Sequence, residues 1–221
     1  MIDRSVLKWI AVLTMVIDHV GAILFPDQIW MRVIGRVAFP IYAYCLAEGF
    51  RYTSDYRRYL GRLALFAILS EIPFDLAFYG VPFSFAHQNV FFTLTLGLIL
   101  LWVLERCREQ LLLCAGAFAV LCFLAQALHM DYGAGGLLMV FAFYLAQQGT
   151  SPWIGWGIFV FINLFGYAGG VQWAAILALL PIGLYSGKAG KRKQRFFYWI
   201  YPLHLLLLWI IEKYIRSGSW I

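Results

Sequence analysis

Charged side chains are scarce in this chain. Asp, Glu, Lys and Arg make up 13% of its 221 residues, about half the share of a soluble globular domain, which excludes an ordinary water-soluble fold. Only four cysteines occur (Cys45, Cys107, Cys114 and Cys122). They lack paired metal-ligand spacing and most lie in apolar runs, so they read as buried free thiols rather than as a disulfide framework or zinc site. The chain has no Gly-rich phosphate loop, no Ser-His-Asp arrangement and no internal repeat. The two halves cannot be aligned, whereas inverted-repeat transporters carry matching broken helices.

Apolar residues fill the space that charge leaves: 63% of the chain is hydrophobic and 19% aromatic. Long apolar runs are expected over 6–25, 32–50, 60–80, 90–104, 111–129, 133–149, 153–167, 171–186 and 196–214. These predict an all-α fold, a polytopic membrane bundle of about nine transmembrane helices in one integral-membrane domain over 1–221. Pro152, Gly155, Gly157 and Gly166 leave 151–170 open to a re-entrant reading. No small-residue cleavage site follows the first run, so it reads as a retained anchor.

The net charge of +6 is explained by where the basic residues fall. Arg4 and Lys8, then Arg51, Arg57, Arg58 and Arg62, then Arg106 and Arg108, then Lys188 to Arg195 hold 13 of the 17 basic residues. Nine crossings place all four groups on one side, which the positive-inside rule makes cytoplasmic. The N-terminus is then cytoplasmic, the C-terminus outside, and the partner a lipid bilayer. The basic excess requires no nucleic acid.

Against this apolar background a few polar residues stand out. Asp18 and His19 are adjacent within the first run, at a depth where ionisable groups usually face a protein interior or a watery cavity. Lys8 lies eleven residues before His19, which at about 100° per residue returns to nearly the same helix face, ~16 Å away. Asp18 points about 100° from His19, so it can serve another helix, leaving Glu71, Asp75 or Asn89 to orient the imidazole. Arg32 and Arg36 form an i, i+4 pair at the outer end of the second run; Glu71 and Asp75 form another at the outer end of the third. Pairing between them would neutralise all four, either as helix-to-helix glue or with one arginine also polarising a substrate carbonyl. Pro40 and Pro73 are expected to distort their helices nearby. His204 lies at lipid depth beside Pro202, whereas His87 and His129 read as surface residues. Glu48 is expected to pair with Arg51 or Arg58. The sum is an outer-half pocket of Asp18, His19, Arg32, Arg36, Glu71, Asp75, Asn89 and His204.

The stretches LKWIAVLTMVIDHVG, GRVAFPIYAYCLAEGFRYT, SEIPFD, NVFFTLTLG, DYGAGG and YWIYPLHLLLL, spread from Leu7 to Leu208, together resemble the TraX family. That resemblance implies a role like N-terminal acetylation of conjugative pilin, in the bacterial cytoplasmic membrane. The family is similar, more remotely, to the acyltransferase 3 group, which takes acyl groups from coenzyme A. That group carries an arginine, ten residues and a histidine in its first helix; Lys8 and His19 keep the spacing with lysine in place of arginine, so the cation remains without its bidentate fork. The group's R-x-x-R pair has no counterpart here, because Arg32 and Arg36 are spaced one residue wider.

Three functions follow as expectations. In the first, the protein moves an acyl group, acetyl by resemblance, from acetyl-coenzyme A to an acceptor amine or hydroxyl on a pilin-like protein, a glycan or a small molecule. Lys8, Arg51, Arg57, Arg58 or the 188–195 loop would hold the donor's phosphates. His19 would act as base or nucleophile, and Arg36 would stabilise the oxyanion. Asp18 and Glu71 complete the catalytic set; Arg32, Asp75, Asn89 and His204 would bind substrate. In the second, the same acids and histidines form the relay of a proton-coupled transporter. In the third, aromatic and Gly-rich surfaces dock other membrane helices without catalysis. No ligand spacing supports a metal among Asp18, His19, Asp75 and Asp131.

Overall fold

The computed structural model describes residues 1–149, 152–167, 170–190 and 194–217. All regular secondary structure among them is helical. The elements are α1 (Arg4–Leu24), α2 (Ile29–Gly35), α3 (Ala38–Tyr52), α4 (Tyr56–Tyr79), α5 (Val90–Arg106), α6 (Leu111–Ala127), α7 (Gly133–Gln147), α8 (Pro152–Phe165), a 3-10 helix (Gln172–Ala178), α9 (Leu179–Gly183) and α10 (Gln194–Arg216).

Local chemistry sets several of these boundaries. Asp3 caps α1, its carboxylate accepting from the Val6 amide at 2.9 Å and satisfying one of the four amides a helix start leaves open. Asn89 does the same for α5, accepting from Phe91 at 3.0 Å. The single run expected over 32–50 is broken between α2 and α3 at Arg36–Val37. Pro40 accounts for this: it has no amide to offer the carbonyl four residues back, that of Arg36, yet it is well placed in the first turn of α3. The run expected over 171–186 is likewise a 3-10 helix followed by a short α9. Pro152 starts an unbroken α8 across most of the segment left open to a re-entrant reading. Of the basic 188–195 loop, residues 191–193 lie outside the described residues.

Two stretches, Arg4–Leu24 and Ile29–Tyr52, are long and apolar enough to cross a membrane; the apolar helices over 111–127, 133–147, 152–165 and 172–183 are shorter. A 14-residue helix such as α8 spans about 21 Å, against a hydrocarbon thickness of about 30 Å. The helical class is therefore as expected, while a nine-crossing count is not established by helix length.

The chain forms two compact units. Met1–Tyr42, Leu69–Ser84 and Gly169–Ile221 make the first; Ala43–Ile68 and Phe85–Ala168 make the second. In the first, the buried stripe Leu7, Ala11, Met15 and Asp18 of α1 recurs at helical spacing, and α1 packs on α2, α9 and α10. Pairings along these helices give their directions. Met31 meets Gly21, and Tyr42 reaches Met15, so the chain from α2 into α3 runs antiparallel to α1. Lys8 lies by Phe197 and His19 by His204, so α10 runs parallel to α1. In the second unit, α7 packs on α5, α6 and α8. Its core joins Leu100, Ala125 and Leu137 to Phe118, Leu121 and Phe141.

Candidate functional site

Asp18 is buried in α1 and ties α2 to it. Arg32 Nη1 donates to Asp18 Oδ2 at 2.8 Å and to its backbone carbonyl at 3.2 Å. Arg36 Nη2 reaches the two carboxylate oxygens at 3.0 and 2.9 Å. The spacing of 32 and 36 puts both guanidinium groups on one face of the chain as it leaves α2. Closeness is permitted by glycine: a Cβ on Gly35 would overlap the Asp18 side chain, and one on Gly21 would come within 2.6 Å of the Met31 Cβ.

His19 sits on the neighbouring face of α1, towards α10. Its Nδ1 lies 2.6 Å from His204 Nε2, and the two rings are nearly parallel, 6° apart with centroids at 4.9 Å. Phe78 and Tyr201 stand edge-on to the His19 ring at 5.6 and 5.9 Å. The other nitrogen of His204 fixes the proton order. His204 Nδ1 is 2.7 Å from the Ile200 carbonyl, which can only accept, so Nδ1 carries the proton. A neutral His204 then presents Nε2 as acceptor, and His19 Nδ1 donates to it. His19 is left with an unprotonated Nε2, the arrangement a general base needs.

The expected pocket is thus partly assembled and partly rearranged. Asp18, His19, Arg32, Arg36, Glu71, Asp75, Lys8 and His204 all belong to the first unit. The arginines converge on Asp18 rather than on Asp75, whose Oδ2 accepts from the Ser84 amide at 2.8 Å. Oδ1 of Asp75 is buried without a hydrogen bond among the described residues. Asp18 meets the arginines because the short 25–28 link turns α2 straight back along α1. Glu71 is half-buried one turn before Asp75. His19 is oriented by His204, not by Glu71, Asp75 or Asn89. The signal for this was in the sequence, Pro202 two residues before His204, but nothing in the spacing said which helix α10 would meet.

Lys8 fulfils the face argument: its Nζ lies 5.6 Å from the Phe197 ring centroid, so Lys8 and His19 share the α1 face that meets α10. Arg4 lies at the same end, its amide donating to the Lys188 carbonyl at 3.0 Å and its Nε to the Tyr185 hydroxyl at 3.3 Å. Asn89 and Arg58 belong to the second unit. Asn89 is fully buried there and, besides capping α5, donates from Nδ2 to the Ala67 carbonyl at 2.8 Å. Arg58 is exposed and pairs with Asp55 at 3.0 Å, while Arg51 donates to the Gln147 carbonyl at 2.6 Å.

Comparison with known proteins adds a family. The family described as TraX protein matches residues 3–212. A probable fimbrial assembly protein FimC, serogroup H1, of Dichelobacter nodosus is 27% identical, over 95% of this chain and 96% of its own length. Protein TraX of Escherichia coli K12 is 26% identical, over 95% of this chain and 87% of its own. An uncharacterized protein of Rickettsia prowazekii (strain Madrid E) is 24% identical, over 66% of this chain and 56% of its own. No solved structure matches the chain.

Proposed function

The chain belongs to the TraX family, and from that premise we propose that it is a membrane-embedded acyltransferase in which His19 is the general base. The observation that carries this reading is the hydrogen-bond chain from the Ile200 carbonyl through His204 to His19. It holds an imidazole with a free basic nitrogen at a depth where an isolated polar group would be costly. His204 acts as a positioning residue, fixing the tautomer and plane of His19.

In the transfer, an acceptor amine or hydroxyl attacks the thioester carbonyl as His19 Nε2 takes its proton. The new C–N or C–O bond forms, the C–S bond breaks, and the proton passes to the leaving thiolate. Arg36, held by Asp18, supplies positive charge for the oxyanion of the tetrahedral stage; Arg32 shares that role. Arg4, Lys8 and Lys188 gather at the far end of α1 and suit the phosphates of acetyl-coenzyme A. From Lys8 to His19 is ~16 Å along the helix, a span that a long flexible thioester arm can cover. One relative is a probable fimbrial assembly protein, which favours a pilus subunit as acceptor.

The same reading places the protein in the bacterial cytoplasmic membrane with its N-terminus inside. The parallel course of α1 and α10 fits an odd number of crossings, with α2 and α3 serving as one. Large apolar side chains exposed to the surroundings, such as Leu112 at 89% and Trp153 at 82%, fit a lipid-facing surface. The short α7 and α8 would require local thinning of the bilayer or interfacial anchoring of their ends.

The test uses purified protein in nanodiscs with radiolabelled acetyl-coenzyme A, comparing wild type with a folded His19→Ala variant. Thioester consumption that disappears in the variant is the expected result. Donor consumption retained by His19→Ala, or none by either protein, contradicts the reading. Substrate flux across sealed liposomes without donor consumption would favour the proton-coupled transporter instead.

A further inference from the structure

Two features of the second unit take no part in the proposed transfer. One is a cavity of about 560 Å3, bordered by His87, His129, Asp131, Tyr132 and Tyr167 among others. The other is the end of the unit where α3 finishes, α4 begins and α5 finishes. Aromatic contacts bring these helix ends together. Phe50 stands edge-on to Tyr56 and to Tyr144, at 6.3 Å in each case, and Tyr56 stacks on Trp102 at 5.6 Å. Arg51, Arg57, Arg58, Arg62, Arg106 and Arg108 are thereby gathered at one end, all of them exposed.

Their charge is only partly answered. Arg58 pairs with Asp55 at 3.0 Å and Arg108 with Glu105 at 3.9 Å, while Arg51 donates to the Gln147 carbonyl. Arg57, Arg62 and Arg106 have no carboxylate partner among the described residues. Arg62 lies over the Tyr59 ring at 5.6 Å and Arg106 over the Trp102 ring at 5.4 Å; such contacts hold a guanidinium in place without neutralising it. The acids of the same segments are Glu48, Asp55, Glu105 and Glu109, fewer than the arginines, so this end stays positive.

The surface that carries these arginines changes character within two helical turns. Arg57, Arg58, Gly61, Arg62, Leu65 and Ile68 of α4 lie at helical spacing on one side, and all are exposed. A Cβ on Gly61 would meet nothing within 4 Å, so the surface beside Arg57 and Arg62 is open there. Leu65 and Ile68 are 52% and 67% exposed and begin ~5 Å further along the axis. The same change recurs after α5, from Arg106 and Arg108 to the exposed Leu111 and Leu112. Basic and aromatic side chains giving way to exposed apolar ones reproduce the layering of headgroups over hydrocarbon. A water-soluble phosphate would answer the arginines and leave Leu65 and Ile68 bare. A phospholipid answers both.

We propose that this face of α4, centred on Arg57 and Arg62 with Arg106 on the neighbouring helix end, binds an anionic phospholipid. Its phosphodiester lies against the arginines, and an acyl chain runs along Leu65 and Ile68. Charge sets the class, because a zwitterionic headgroup brings its own cation. The inference rests on the membrane-embedded reading and not on transfer at His19.

Full-length protein in maltoside micelles would be offered equimolar phosphatidylglycerol and phosphatidylcholine, and bound lipid read by native mass spectrometry. Phosphatidylglycerol should be retained at least fivefold over phosphatidylcholine, which is about 1 kcal/mol at about 1.4 kcal/mol per tenfold. The preference should fall below about twofold in Arg57→Gln/Arg62→Gln. Gly61→Glu keeps every arginine, puts a carboxylate into the open position and should have the same effect. Lys213→Gln/Arg216→Gln removes equal charge from the last turn of α10 and should leave the preference intact. Inorganic phosphate at matched ionic strength should not displace the lipid; displacement would make a soluble phosphate the occupant and overturn the proposal. No preference in the wild type, full preference in either α4 variant, or an equal loss in the α10 variant would also overturn it. Protein that stays in vesicles through an alkaline carbonate wash yet shows no preference defeats this inference alone; protein released by the wash defeats the membrane reading with it.

Discussion

The two units gather their polar groups around different features. In the first, Arg32 and Arg36 converge on Asp18, and His19 and His204 close a chain on a backbone carbonyl. In the second, His87, His129, Asp131 and two tyrosines line an open cavity. Self-satisfied polar groups hold a fixed geometry, which proton transfer needs. Groups around a cavity border a space that a small molecule can enter. The comparison separates polar groups that bind one another from polar groups set around a space.

The ion cluster offers the hardest way to break the first half of that comparison. Asp18→Ala removes the carboxylate, only about 10% exposed, that both guanidinium groups bind. Removing one member of a buried pair costs about 3–5 kcal/mol; partial exposure of Arg32 puts the expectation near the lower figure, about 3 kcal/mol. Equilibrium unfolding in mixed micelles would read it, and a loss below about 1 kcal/mol would mean the cluster is not holding α1 to α2. Gly35→Ala tests the same contact from the other side. Its methyl group overlaps the Asp18 side chain, so about 1–3 kcal/mol should be lost, with Arg32 and Arg36 still present.

His204→Ala sharpens the chemical part. As a positioning residue it should cost about ten- to a hundredfold in acyl transfer, against abolition in His19→Ala, with imidazole orientation rather than stability lost. The check is turnover of both variants against pH: the pH dependence should change in His204→Ala, whereas a merely structural role would lower the amplitude at constant profile. Asn89→Ala belongs to the other unit and should lower stability by about 1–2 kcal/mol through the lost α5 cap and the orphaned Ala67 carbonyl, measured by thermal unfolding. The smallest effect is expected at Arg58. Its pair with Asp55 is exposed, so Arg58→Ala should shift stability by no more than about 0.5 kcal/mol.

Much of this was legible in the residues themselves. The apolar runs and their turn signals located nearly every helix, since helix length and periodicity are local properties. Asp18, His19, Arg32 and Arg36 were found by the cost of placing ionisable groups in apolar sequence. The eleven-residue offset of Lys8 and His19 identified a shared face, and both do meet α10. What the sequence could not supply was partner choice across helices. The arginines had three candidate acids, and their pairing with Asp18 follows from a four-residue link that brings α2 back along α1. Asn89 looked like a pocket residue by depth, yet its carboxamide is used by the first turn of α5 and by Ala67. The break at Arg36 was encoded by Pro40, but its effect falls four residues upstream of the proline, where a reading of runs alone places continuous helix. The cavity in the second unit is not legible in the sequence, because His87 lies in one turn and His129 and Asp131 in another, joined only by tertiary pairing.

The measurement closest to the centre of this account is the histidine tautomer. Protein labelled with 15N-histidine in nanodiscs, assigned with His19→Ala and His204→Ala, would report protonation at each ring nitrogen by its chemical shift. The account predicts that both residues are neutral and protonated at Nδ1, with His19 Nε2 bare and a coupling between His19 Nδ1–H and His204 Nε2. A proton on His19 Nε2 with Nδ1 bare would contradict it, because the nitrogen assigned to take the acceptor's proton would already be occupied.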